Sequence, residues 1–486
     1  MTASRVDGLD AAWRRLLRED ADAPVVDGPG LSLDRRGLER MVAQQVDSLR
    51  RDGIGPRDIV AWFSLNSAEM LAALLACERL GAVLMPLNWR LATSELLAAL
   101  EHAGVALLRW TPDSAPAAQS LDDSWRSGGG PRHGTAQAAD LLLVYTSGTT
   151  GLPKGAMHTS AQMAANARAA IAVQGLDPST RTLAVLPMFH VGGLCIQVLP
   201  TLLAGGRLRL HARFDPGAWL ADVAAWRPTT SLMVPATLRA VVTHPRWPDA
   251  DLSALRFLET GSSIVPLPLI EAFHVRGVPV AQVYGSSETG PFSIALAPQD
   301  ALAHPGSVGV AAPGVQVRLV DRDGREVPDG EVGEILVKGD NVMRGYHRDP
   351  DNPAFRGGWF HSGDLARRRP DGRFEVVGRS KDMIISGGEN IYPAEIENLV
   401  VASPGVSECA VVGLPDERWG EVPVLAVVPA PGCRLSDEAI RATFEHRLAR
   451  FKHPRRIVVL DSLPKTALGK VRKATLLRAL LDAGRA

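Results

Sequence analysis

An apolar run, LLLVY at residues 141–145, feeds directly into TSGTTGLPKGA at residues 146–156. A buried strand that ends in such a turn constrains fold and ligand together. Gly148, Gly151 and Gly155 let the backbone approach a ligand without Cβ clashes. Thr146, Ser147, Thr149 and Thr150 add hydroxyls, and turn N–H groups can converge into an anion-binding nest. Lys154 adds a point charge. The set suits a polyphosphate chain better than a polar surface turn. It is not a P-loop, which ends in Gly-Lys-Ser/Thr; here Gly155 follows Lys154, and Val471 follows Gly469-Lys470.

With 486 residues, the chain is long enough for two to four domains. Apolar residues at 46% against 22% charged residues are globular, which excludes overall disorder. Lysine plus arginine equals aspartate plus glutamate at 53 each, so no bulk field favours nucleic acid or an anionic membrane. The first twenty residues lack an apolar signal core, and the apolar run at residues 70–77 is far too short to span a membrane. Cys77, Cys195, Cys409 and Cys433 lie far apart, which gives no zinc or disulfide framework and reads as small core residues in a reducing, cytoplasmic setting.

Short apolar runs alternate with Ala/Leu-rich helical stretches over residues 1–380, the pattern of a layered α/β domain. Strands are expected at 59–63, 183–186 and 279–284, and helices at 67–79 and 160–173, the latter capped by Ser160. Residues 191–206 read as a buried loop and strand, and residues 127–135 as a flexible loop. Asp-Gly turns between alternating strands at 315–337 predict a small antiparallel subdomain, with a second hairpin at 369–377. A boundary after Lys381-Asp382 leaves residues 381–486 as a compact α/β domain.

YGSSETG at residues 284–290 ends a strand in a glycine turn that exposes Ser286, Ser287 and Glu288. A carboxylate beside a phosphate loop makes sense as a ligand for Mg²⁺, a hard cation that takes oxygen ligands. Asp364 in WFHSGDL has the acceptors to hold a ribose diol, as acidic residues do in other nucleotide sites. Taken singly, Asp364, Arg379, Gly387-Gly388 and Lys470 are turn or surface residues.

Together these strings run in one order over residues 50–475, and the chain resembles the adenylate-forming superfamily, in particular AMP-forming acyl-CoA synthetases. Ser287 stands where that family usually has threonine, and the hydroxyl survives. The resemblance implies a large N-terminal domain of two α/β layers plus a small β-barrel, and a small mobile C-terminal α/β domain. It implies that residues 146–154 hold the β- and γ-phosphates, Glu288 binds Mg²⁺ and Ser287 contacts the α-phosphate. Tyr284, Gly261, Ser262 and Ser263 would line the adenine, and Asp364 and Arg379 would hold the ribose. Lys470 would serve adenylation, His190 the acyl entrance, Gly387 and Gly388 the CoA side, and Lys381 the hinge.

The expected reaction is carboxylic acid plus ATP plus CoA to acyl-CoA, AMP and pyrophosphate through an acyl adenylate, with ATP, CoA and Mg²⁺ as co-substrates and cofactor. A homodimer is compatible with this reading. Transfer to a carrier protein, luciferase-like oxygenation and an ATP-binding regulator without turnover are the rivals. His190 stands where an amino-acid-activating domain carries aspartate, and a regulator would be expected to lose Glu288 or Lys470. The segments 191–197, 233–237 and 285–293 are mostly apolar or small, favouring a fatty or aryl acid over acetate or malonate. A succinylbenzoate-like dicarboxylate would need a cation, for which Arg239 is the candidate.

Overall fold

The computed structural model describes residues 8–28, 30–146, 154–445, 447–466 and 469–483. Among them, four sheets organise the chain. The strand Asp140–Thr146 sits inside a six-stranded sheet, between Val83–Pro86 and Lys154–Thr159. It is apolar because both faces are covered, with Leu142 and Val144 in one core cluster and Leu143 in another. A nine-stranded sheet runs through Arg181–Ala184, Thr230–Met233, Phe257–Thr260 and Val280–Tyr284, all paired in parallel in that order. These are the two α/β layers expected from sequence.

The antiparallel subdomain pairs Val315–Val320 with Val332–Gly339, and the latter with Trp359–Arg368. Phe374–Arg379 closes its second hairpin. Beyond Ser380–Asp382 a five-stranded sheet centres on the long antiparallel pair Val406–Asp416 and Gly420–Pro429, with helices Pro393–Val401 and Lys473–Ala483 packed on it. The compact α/β domain expected there is thus built around a long hairpin, and its helix Asp437–Ala442 is short.

Three local expectations change. The strand expected at 183–186 is Arg181–Ala184, because Asn66 Nδ2 takes the Leu186 carbonyl at 2.9 Å just before Pro187. Thr159, not Ser160, caps the helix Ser160–Gln174, in a reciprocal box with Gln162. The Ser160 hydroxyl instead accepts from Leu9 N and donates to Glu78. Only Cys77 and Cys195 are core residues; Cys409 is half-buried and Cys433 exposed.

Residues 191–203 are not loop and strand but one buried helical segment, with a π-turn at Leu194–Val198. Pro200 has no N–H to give to the Ile196 carbonyl. Gln174 Nε2 supplies that bond at 2.9 Å, and Asn166 Nδ2 satisfies the Cys195 carbonyl at 2.7 Å. Gly193 is obligatory here, since a Cβ would sit 2.2 Å from the Pro187 carbonyl oxygen.

His158, on the strand after the phosphate turn, is buried among apolar groups that hold its pKa down at about 4. A neutral folded histidine and an ordinary unfolded one near 6.5 mean that the unfolded chain binds more protons as pH falls. Its contribution is intact above 6.5 and is lost between 6.5 and about 4. The thermal midpoint should fall over that window, and His158→Gln, which has no proton to gain, should show a shallower fall; parallel pH curves for the two proteins would remove the assignment.

Candidate active site

Two sheets meet at the turn that follows Val280–Tyr284. His158 of the six-stranded sheet donates Nε2–H to the Ser287 carbonyl at 2.7 Å. Within the turn, the Ser286 hydroxyl accepts from the N–H groups of Glu288 and Thr289, so the loop satisfies itself locally. Gly285 is forced, because a Cβ would lie 2.5 Å from the Pro291 backbone. Ser287 is buried and Glu288 half-buried.

Glu288 is oriented by a residue the sequence reading missed. Tyr346 donates its O–H to Glu288 Oε1 at 2.9 Å, and Met343 N–H donates to the Glu288 carbonyl at 2.9 Å. Lys154 Nζ lies 5.1 Å from the centre of the Tyr346 ring. The short strand Gly345–Tyr346 is paired with Lys154–Thr159, which fixes this geometry. No local pattern marks Tyr346, which reaches Glu288 across 58 residues. Thr146 and Lys154 flank the phosphate turn, and the Thr146 hydroxyl donates to the Lys154 carbonyl at 3.3 Å. Ser147, Gly148, Thr149, Thr150 and Gly151 lie outside the described residues.

Asp364 and Arg379 face each other across paired strands at 2.7 Å, and Tyr284 donates its O–H to the other Asp364 oxygen at 2.9 Å. Gly261 approaches the Val283 carbonyl so closely that a Cβ would lie 2.5 Å away. Ser262 adopts φ +69°, and with Ser263 it is exposed at the rim. These residues form one edge of the site.

Lys470 comes to the same place from the C-terminal region. Gly469 packs near Ala236, whose Cβ is 3.6 Å from the position of an added Cβ. Lys470 keeps exposed surface, yet enclosure by protein and then the Arg379 guanidinium depress its ammonium pKa. Lys381 adds to that, while Asp364 and Asp382 oppose it. His190 accepts from Gly192 N–H at Nδ1, 3.0 Å, so its remaining proton is on Nε2. Desolvation, with the nearby Lys470 charge, holds its pKa at about 4. It is a neutral donor at physiological pH.

Gly387 and Gly388 form an exposed hairpin turn with φ +61° and +89° between Ile384–Ser386 and Glu389–Ile391. The Trp419 ring lies under Gly387 and carries Arg418 and Arg455 over it, 5.0 and 5.5 Å from its centre. Lys381 is exposed in the 3₁₀ turn Ser380–Asp382. Arg239 lies on the helix Pro235–Val242 near enough to Cys409 for its charge to act on that thiol. That places it toward the C-terminal region.

Residues 13–347 match the family model of the AMP-binding enzymes, and residues 395–470 match the model of their C-terminal domain. The chain belongs to the AMP-binding enzyme family. The indoleacetate–CoA ligase of Aromatoleum aromaticum is 44% identical to this AMP-binding enzyme, over 92% of each chain. A feruloyl-CoA synthase of an Amycolatopsis species is 42% identical over 98% of this chain and 99% of its own. Among solved structures, the o-succinylbenzoate CoA synthetase of Bacillus subtilis, bound to its acyl-adenylate intermediate, superposes with a TM-score of 0.85 at 30% identity, covering 96% and 97% of the two chains. No described helix is long and apolar enough to cross a membrane.

Tyr346→Phe keeps the ring beside Lys154 and deletes only the hydroxyl on Glu288. Loss of such an outer contact typically costs about 10-fold or more in metal affinity or activity. If Glu288 is the Mg²⁺ carboxylate that the family resemblance implies, the Mg²⁺ concentration for half-maximal adenylation should rise by about that factor with the fold intact. An unchanged Mg²⁺ titration would show that Glu288 needs no such support.

Proposed function

We propose that this AMP-binding enzyme is an ATP-dependent acid–thiol ligase acting on an apolar, most favourably aryl, monocarboxylic acid. The observation that carries the proposal is convergence: Lys470, the Arg379–Asp364 pair and the Lys154–Tyr346–Glu288 cluster border one site, although they lie far apart in sequence. Relatives named for indoleacetate and ferulate support the aryl preference.

In the first step a carboxylate oxygen bonds to the α-phosphorus of ATP as the bond to the β-phosphate breaks, and pyrophosphate leaves. Two anions must meet, so lowering their repulsion is the main task. Lys154 serves the phosphates, Lys470 the reacting α-phosphate and carboxylate, and Nε2–H of His190 donates to the acid. Asp364 and Arg379 hold the ribose, and Tyr284, Gly261, Ser262 and Ser263 border the base. Among the described residues, no cluster of three or more His, Cys, Asp or Glu is placed for a metal. Mg²⁺ needs none, since it is often held by one or two carboxylates plus substrate phosphates. Glu288 fits as that carboxylate, and the ion would supply charge neutralisation.

In the second step the CoA sulfur bonds to the acyl carbon, the bond to AMP breaks and the thiol proton is released. Residues 1–380 and 381–486 serve as the two domains, turning at Lys381, with the Gly387-Gly388 turn on the CoA side. Free cysteines support a cytoplasmic enzyme. A dimer is the assembly to test by sizing.

Carboxylate-dependent ATP–pyrophosphate exchange tests the reading, and its absence with every acid in a broad panel would leave only a nucleotide binder. Lys470→Ala should slow adenylation by at least ~10²-fold, the scale of one preorganised charge contact. Thioester formation from supplied acyl adenylate should be largely spared. Gly388→Asn, a residue that tolerates positive φ, should show the opposite pattern. If both variants lose both half-reactions equally, the division of labour between the two faces is wrong.

A further inference from the structure

We infer that Glu259, with the side-chain carbonyl of Gln197, forms the far end of the acyl site and receives a hydrogen-bond donor on an aryl acid, an N–H or a phenolic O–H. The inference rests on the proposed ligase reading, which puts the substrate carboxylate beside His190.

Glu259 has no accessible surface, and neither of its carboxyl oxygens has a hydrogen-bond partner. Gln197 Oε1 is buried and unpartnered as well. The two belong to one layer. Glu259 stands opposite Leu232 in the parallel ladder, and Thr230, two residues before Leu232, is on the same face. Thr230 Oγ1 accepts from Gln197 Nε2 at 2.8 Å, which leaves the other end of that amide free. Gln174 Oε1 takes the second Nε2 proton at 3.1 Å and fixes the amide orientation. Leu232 packs with Ile196 of the π-turn, so this face of the sheet is the one the segment from His190 covers. Seven residues of helical rise separate His190 from Gln197, about 10 Å. That span suits a carboxylate, a short arm and an aromatic ring system.

Burial pushes the Glu259 carboxyl well above the ordinary carboxylate range, which favours its protonated form. One proton among three unpartnered oxygens leaves acceptors over. Unpaired buried acceptors disfavour an alkyl tail, and they repel a second carboxylate. They reward a donor. This narrows the fatty-or-aryl choice to donor-bearing aryl acids and speaks against a dicarboxylate.

The test compares indole-3-acetic acid with its N-methyl derivative, and ferulic acid with its 4-O-methyl ether, by CoA-dependent AMP release. Sites built to bond a substrate N–H or O–H discriminate strongly against analogues lacking it. The wild-type enzyme should prefer the donor acid of at least one pair by ~10-fold or more in kcat/KM. Glu259→Gln, which keeps an acceptor, should retain the preference, and Glu259→Leu should abolish it. Equal rates for both members of each pair in the wild-type enzyme overturn the inference and leave the ligase reading standing. Persistence of the preference in Glu259→Leu also overturns it, since bulk rather than the donor would then be selected. If Glu259→Leu does not fold, the wild-type comparison and Glu259→Gln decide. No AMP release with any acid of a broad panel overturns the ligase reading itself, and this inference with it.

Discussion

The hydrogen bond from His158 to the Ser287 carbonyl joins, at the site, two sheets that also share an apolar core. On one side it anchors the strand that leaves the phosphate turn, and on the other the turn that carries Ser287 and Glu288. Desolvation keeps the imidazole neutral, and a neutral ring can donate through Nε2 while remaining compatible with its apolar neighbours. Tyr346 and Met343 then reinforce the same seam from a third direction. The spacing between Lys154 and Glu288 is thus a property of packing between layers, not of either loop alone.

The parts of this arrangement that the sequence announces are those with local chemistry. Glycines at turns, the Asp-Gly hairpins and the Tyr-Gly-Ser-Ser-Glu string each need nearby backbone geometry, and each is where the residues place it. The hidden parts are relations at long range. Tyr346 contacts Glu288 from a strand whose following residue, His347, donates its backbone N–H to the Gly155 carbonyl at 2.7 Å. No periodicity encodes that. The segment 191–203 misleads for a related reason: glycines and Pro200 usually break helices, but here Asn166 and Gln174 satisfy the carbonyls that the irregular turns release.

Electrostatics in the site follow one rule: polar groups are oriented before a ligand arrives. Tyr284 and Arg379 occupy both oxygens of Asp364, Tyr346 occupies one oxygen of Glu288, and Gly192 fixes the tautomer of His190. Preorganised groups of this kind need little rearrangement as charge develops. Glu259 and Gln197 Oε1 stand apart from that rule, being buried without partners.

The crowding of positive charge around Lys470 has a consequence for timing. An ammonium enclosed beside Arg379 and Lys381 repels both, and Asp364 is already engaged by Arg379. Such a cluster holds together best with a polyanion at its centre. In the proposed reaction, departing pyrophosphate would carry much of that negative charge away and leave Lys470 facing Arg379 and Lys381 with their repulsion unscreened.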